Sequence, residues 1–270
     1  GKGQLSIDIG GDSKDVRILR AHLEEDAGKS THGIIEGKSG IDLNRAGTPL
    51  LEIVTEPDLS SAEEAVTYAK KLHNLVQWIG ICDGNMQEGS FRCDVNVSVK
   101  KKGSSELETR REIKNLNSFR FIKQAVDYEV NWQIDRLEDG GKIQQATILF
   151  NPESGETKSM RSKEEANDYR YFPDPDLKPL VISNDRIQML KEQLPELPSI
   201  KKERLQDAYK LSSDDIKALF SEKATLDYFE SCIQLEPTLS AKTICKWLIG
   251  DFMALLNQEN LSVDQSPIKE

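Results

Sequence analysis

The chain has 270 residues, with 36 lysines and arginines against 46 aspartates and glutamates and a formal net charge of −10. At ~150 residues per domain this makes one large domain or two ordinary ones. The acidic balance excludes a protein that coats nucleic acid by bulk electrostatics, and no apolar run approaches the ~20 residues of a membrane helix, so no membrane partner is expected.

The first part of the chain reads as strands. Leu5, Ile7 and Ile9 alternate with polar residues, Gly10-Gly11-Asp12 is turn chemistry, and Val16–Leu23 is a second strand-like run. Pro49–Val54, bounded by Gly47 and Pro57, is a third, and Phe91–Val99 alternates almost strictly as a fourth. Ser60-Ser61-Ala62-Glu63-Glu64 offers a capping box to a helix that Gly80 stops. A second helix starts near Ser118, with Phe119, Ile122, Val126, Val130, Ile134 and Leu137 as its apolar stripe and Gly140-Gly141 as its end. Strands mixed with long helices, without a regular βαβ beat, predict an α+β domain.

The aromatic and proline-rich segment from Tyr169 to Pro179 follows, and then a hinge-like Leu194-Pro195-Glu196-Leu197-Pro198. Beyond it the pattern is helical, with Ser212-Ser213-Asp214-Asp215 as one helix start and Ala241–Leu256 as a further amphipathic helix. The expected division is an α+β domain over 1–190 and a small all-α domain over 191–270. Cys82, Cys93, Cys232 and Cys245 form no C-x-x-C pair and read as reduced, buried thiols of a cytoplasmic protein.

The chemistry-bearing signal is acids placed where a strand favours valine. Glu52 lies inside Pro49–Val54, and Asp94 interrupts Phe91–Val97. Burying an unpaired carboxylate costs several kcal/mol, so each must meet a cation or change protonation. Strand alternation puts Arg92, Asp94, Asn96 and Ser98 on one face and Val95, Val97 and Val99 on the other. Glu112-Ile113-Lys114-Asn115 repeats the design, and His22-Leu23-Glu24-Glu25-Asp26 ends the second strand with more acids. Four such segments, if they converge, make a carboxylate pocket suited to Mg²⁺ or Mn²⁺, with Arg92 and Lys114 suited to phosphate. Carboxylates, metal and basic groups together are what phosphoryl transfer needs. The alternative for each acid is a private salt bridge to Arg17, Arg45, Arg92 or Lys114. Neither a Walker-type nor a Rossmann glycine motif is present.

These segments also carry a resemblance. The stretches His22–Ser30, Asn44–Asp58, Glu88–Ser98, Glu112–Phe119 and Asp168–Asp176 resemble, in order, the B subunits of bacterial aspartyl/glutamyl-tRNA(Asn/Gln) amidotransferases, the GatB family. That resemblance implies a catalytic cradle of mixed or antiparallel sheet with helices, similar to glutamine synthetase and guanidino kinases, followed by a helical domain. It implies a carbon–nitrogen ligase. ATP phosphorylates the side-chain carboxylate of glutamate or aspartate misacylated on tRNA(Gln) or tRNA(Asn), and ammonia released from glutamine by an A subunit then forms the amide. A C subunit braces the heterotrimer. On this chain it places catalytic groups at Glu25, Glu52, Glu112, Asp94 and Lys114, and metal ligands at Glu25, Glu52 and Glu112, with Glu24 as the fallback. It places nucleotide contacts at Arg92, Asn96, Lys114 and Asn115, and the cofactors are ATP and Mg²⁺.

The chain also departs from the family. It opens on Gly1-Lys2-Gly3 without the family's first metal-binding segment or its tail domain, and reads as the middle of a longer protein. Ala146 and Ile148 stand where the family carries charge. Two other functions remain open: a non-catalytic tRNA-positioning scaffold of the same complex, and a metal-dependent hydrolase using the same acids. Arg161, Lys163 and Arg170 beside the aromatic Tyr169–Phe172 stretch suit a single-stranded tRNA end or, equally, a packed corner.

Overall fold

The computed structural model describes residues 3–33, 37–162 and 175–269. These fall into two compact units, one of residues 3–76 and 82–162, the other of Gln77–Ile81 and residues 175–269. The helical unit therefore takes in described residues well before the expected boundary at 190. The Tyr169–Phe172 stretch, with Lys163 and Arg170, lies outside the described residues, as does the side chain of Arg161.

The first unit is a mixture of strands and helices, as an α+β reading requires. β1 (Gly3–Ile9) and β2 (Asp12–Glu25) form a hairpin closed by Gly10 and Gly11. Both glycines have positive φ, the conformation that two-residue hairpin turns demand. β2 outruns β1 and pairs along its far half with β5 (Pro49–Thr55), giving sheet order β1-β2-β5. Between them, β3 (Lys29–His32) and β4 (Ser39–Asp42) make a two-stranded ribbon that the sequence pattern did not announce.

A second sheet has the order β6-β7-β8-β9, built from Cys93–Val97, Arg111–Leu116, Ala146–Asn151 and Glu156–Ser162. β7 and β8 run parallel. That requires a crossover, which the helix α2 (Phe119–Glu138) supplies. Ser118 caps α2 as expected, its hydroxyl accepting from the Phe121 N–H at 3.1 Å. The helix α1 (Ala62–Trp78) starts with the Ser61 hydroxyl accepting from the Glu64 N–H, while the Glu64 carboxylate accepts from the Ser60 N–H.

α1 serves both sheets. Ala62 and Ala69 join Val97, Ile113, Ile122, Ile148 and Phe150 in the larger core, while Tyr68 packs with Ile7 and Val16 of the first sheet. One expectation for α2 fails. Ile134 and Leu137 are 38% and 41% exposed, and the buried stripe runs instead through Ile122, Ala125, Val126, Glu129 and Gln133. The stripe rotates because Glu129, fully buried, meets Arg111 of β7 at 3.0 Å and accepts further bonds from Gln133 and Thr157.

The described residues of the second unit contain helices and no strand: α3 (Asn184–Glu192), α4 (Pro198–Tyr209), α5 (Ser213–Leu219), α6 (Lys223–Leu235), α7 (Ala241–Trp247) and α8 (Met253–Glu259). Leu205, Leu219, Leu226, Phe229 and Leu248 form their core. The expected continuous helix over Ala241–Leu256 is interrupted by a π-helical turn at Leu248–Phe252. Burial pushes the Cys93 and Cys245 thiols up to about 12 and about 11 respectively, in keeping with inert packing groups. Among the described residues, no helix is long and apolar enough to cross a membrane.

Candidate functional site

The second sheet has one face packed on the helices and one polar face. Val97, Ile113, Leu116, Ala146, Ile148 and Phe150 fill the core side. Strand alternation puts Asp94 and Asn96 of β6, Glu112 and Lys114 of β7, and Thr147 of β8 on the other. The register agrees, with Asn96 opposite Glu112 and Glu112 opposite Thr147. Lys114 Nζ lies 2.5 Å from Asp94 Oδ2 and 3.2 Å from Glu112 Oε1, while Thr147 Oγ1 donates to Glu112 Oε2 at 3.1 Å. Burial opposes the charge on Lys114. The hydrogen bond and attraction of Asp94, reinforced by Glu112, outweigh it and raise the lysine's pKa. At the end of this row Asn96, Arg110, Glu112, Gln145 and Ala146 line a polar hollow of about 100 Å³.

The first sheet presents its acids differently. Beyond β1, β2 and β5 form a two-stranded ribbon in which His22 faces Glu52 and Glu24 faces Leu50. Arg20, His22, Glu24 and Glu52 thus share one face, and Glu25 points to the opposite one with Leu23. It is therefore Glu24, not Glu25, that shares a face with Glu52. Arg20 Nη2 binds Glu52 Oε2 at 2.9 Å. Just past the ribbon's end, Asp26 is gripped by Arg45 at 2.8 Å and by Arg92 at 3.1 Å. The Arg45 hydrogen bond leads, and with Arg92 it overrides burial and holds the Asp26 carboxyl below the usual carboxylate range.

The expected gathering of Glu25, Glu52 and Glu112 does not form. Among the described residues, no three histidines, cysteines or acids come together in a way that could hold a metal ion. The reason is physical: Glu52 has Arg20, Asp26 has two arginines, and the cation between Asp94 and Glu112 is the ammonium of Lys114. A resident magnesium therefore does not fit the described donor set. Arg92, expected on phosphate, is engaged by Asp26. Asn115, expected at the nucleotide, has a positive φ and donates its amide N–H to the Phe150 carbonyl at 3.0 Å, which ties β7 to β8. Lys114 and Asn96 do lie on the polar face. His73 of α1 is half-buried, its Nε2 paired with the Gly84 carbonyl at 2.7 Å and its ring edge-on to Phe91 and Phe119.

The profile of the GatB/GatE catalytic domain matches residues 1–188. The chain belongs to the GatB/GatE family. It is 62% identical over 268 residues to the B subunit of the aspartyl/glutamyl-tRNA(Asn/Gln) amidotransferase of Methylobacillus flagellatus, covering 99% of this chain and 56% of that protein. It is 57% identical over 272 residues to the corresponding B subunit of Cupriavidus pinatubonensis (99% and 56%), and 57% identical over 270 residues to that of Dechloromonas aromatica (98% and 56%). The chain thus spans little more than half the length of these curated relatives.

Two features of this GatB/GatE chain are clearer for the geometry. Ala146 and Ile148, where the resemblance expected charge, are buried residues of the core. Arg110 and Gln145 were missed as site residues. Extending the alternation of Glu112 and Lys114 back by one step finds Arg110, whereas Gln145 depends on the parallel pairing of β7 with β8, which no local pattern announces. A larger hollow of about 580 Å³ in the helical unit, walled by Leu235, Leu239, Ile244, Trp247 and Phe252, is too apolar to receive an anionic substrate.

Proposed function

We propose that this chain is the carboxylate-activating part of a tRNA-dependent amidotransferase, a carbon–nitrogen ligase that acts on Glu-tRNA(Gln) or Asp-tRNA(Asn). A carboxylate resists ammonia until one of its oxygens becomes part of a leaving group. In the proposed sequence, a side-chain carboxylate oxygen attacks the γ-phosphorus of ATP, the bond to ADP breaks, and an acyl phosphate forms. Ammonia, delivered from glutamine by an A subunit within a complex that a C subunit completes, then attacks the acyl carbon. The carbon–oxygen bond breaks, phosphate leaves with that oxygen, and the surplus ammonium proton passes to solvent.

The observation that carries this reading is the charged row on the polar face. Lys114, held cationic and oriented by Asp94 and Glu112, is a pre-positioned positive charge of the kind that steadies developing negative charge on phosphoryl oxygens. ATP is proposed as a consumed substrate with magnesium as its counter-ion. No step is assigned to a resident metal, nor to Glu24, Glu25 or Glu52. The lack of a three-acid group among the described residues favours a second reading, a positioning scaffold without ATP turnover.

Lys114→Met in the assembled amidotransferase separates the two. Activation predicts a roughly 10²- to 10³-fold loss of Glu-tRNA-dependent ATP consumption, as when one transition-state donor is removed. Unchanged consumption, or none in the wild type, overturns it.

A further inference from the structure

The hollow at the end of the charged row has a property that the activation chemistry does not itself require. Asn96, Arg110, Glu112, Gln145 and Ala146 line it, so one guanidinium, one carboxylate and two carboxamides border about 100 Å³. The cations nearby are engaged: Lys114 by Asp94 and Glu112, Arg92 by Asp26, and Arg111 by Glu129 on the opposite side of β7. Arg110 has no ion pair among the described residues. It stands two residues before Glu112 on the same side of the chain, about 6.6 Å along an extended backbone.

A polyphosphate does not suit such a place, because the volume is small and Glu112 would repel it. A compact group bearing both charges does. The aminoacyl end of a glutamylated or aspartylated tRNA is such a group: its α-carboxyl is taken up in the ester, leaving one ammonium and one side-chain carboxylate.

We infer that Arg110 binds the side-chain carboxylate of the aminoacyl group, with Glu112 facing its ammonium and the Asn96 and Gln145 amides completing the hollow. This deepens the proposed function and rests on it. A guanidinium can donate to one carboxylate oxygen and leave the other free as nucleophile. The same assignment gives a means of product discrimination, since the amide product has lost the charge that Arg110 holds.

The test is equilibrium binding to the assembled amidotransferase with its full-length B subunit, using one tRNA(Gln) in glutamylated, glutaminylated and uncharged forms. The wild type should prefer the glutamylated form. Arg110→Gln should weaken that form roughly 10- to 100-fold, the range for a lost charge-assisted hydrogen bond, and leave the other two forms unchanged. Arg110→Lys should recover part of the loss. Equal weakening of all three forms would make Arg110 an RNA or folding residue and overturn the assignment, as would no weakening at all. Glutamyl-tRNA-dependent ATP consumption by the wild type, measured alongside, tests the activation reading separately. If consumption is absent while the charge discrimination is present, activation falls and the carboxylate site stands.

Discussion

Replacing Glu129 by alanine leaves the Arg111 guanidinium without its carboxylate inside the interface between α2 and β7. Both residues are buried, at 0% and 7% exposure, and the carboxylate accepts from Arg111 at 3.0 and 3.3 Å, from Gln133 at 2.8 Å and from Thr157 at 3.2 Å. Breaking one side of a buried pair costs about 3–5 kcal/mol, mostly because the remaining charge stays desolvated. Removing both charges with shape-filling apolar groups is often close to neutral. Glu129→Ala should therefore lower stability by about 3–5 kcal/mol, and Arg111→Met with Glu129→Leu should restore at least about 2 kcal/mol of that. The stacking of the Arg111 guanidinium 4.1 Å from the Trp132 ring gives a fluorescence signal for urea unfolding at the right place. A single-variant loss under about 1 kcal/mol, or a double variant weaker than the single, would refute the reasoning. The consequence reaches the site, because Arg111 is the residue between Arg110 and Glu112 and fixes the core side of the strand that presents them.

Asp58 sets an acid limit. The Arg17 guanidinium, helped by the Arg17 backbone N–H, holds its carboxyl at about 2 against an ordinary 3.8. A lowered folded-state value contributes stability that is whole above about pH 4 and lost as pH falls to about 2. The stability gap between wild type and Asp58→Asn, followed by urea titration, should close over that window; a constant gap contradicts it. In the helical unit, Ser212 and Asp215 form a reciprocal cap on α5. Ser212→Ala should cost about 1 kcal/mol in the same assay, and no change would mean that the cap contributes nothing.

The sequence made most of the local structure legible. Apolar alternation located β1, β2, β5 and β6, and the serines at 61, 118 and 212 marked helix starts because their hydroxyls are where orphaned N–H groups need an acceptor. β9 escaped because threonine, lysine and glutamate dilute any period along it, β8 because Ile148-Leu149-Phe150 is a short apolar run without polar alternation, and β3 and β4 because no residue of that ribbon whose burial is described is buried enough to demand an apolar side chain. The rotation of α2 was illegible for a different reason. A buried glutamate is tolerable only with Arg111, 18 residues away, and that pairing is a tertiary fact.

The site divides along the same line. Strand parity alone placed Asp94 and Asn96 on one face and Glu112 with Lys114 on another, and the sheet joined the two as the polar row. Whether the acids of the first sheet joined them could not be read locally, because it depends on which cation each acid reaches first. Arg20 is diagonal to Glu52 across the ribbon, and Lys114 is two residues from Glu112, so both acids are satisfied nearby before any distant partner competes.

The most direct measurement follows an oxygen atom. Glutamate labelled with ¹⁸O in its side-chain carboxylate is charged onto tRNA(Gln) and turned over by the assembled amidotransferase with ATP and glutamine. Activation through an acyl phosphate predicts that each amide formed releases one inorganic phosphate carrying one ¹⁸O. Phosphate without the label, formed at the same rate as the amide, would contradict it.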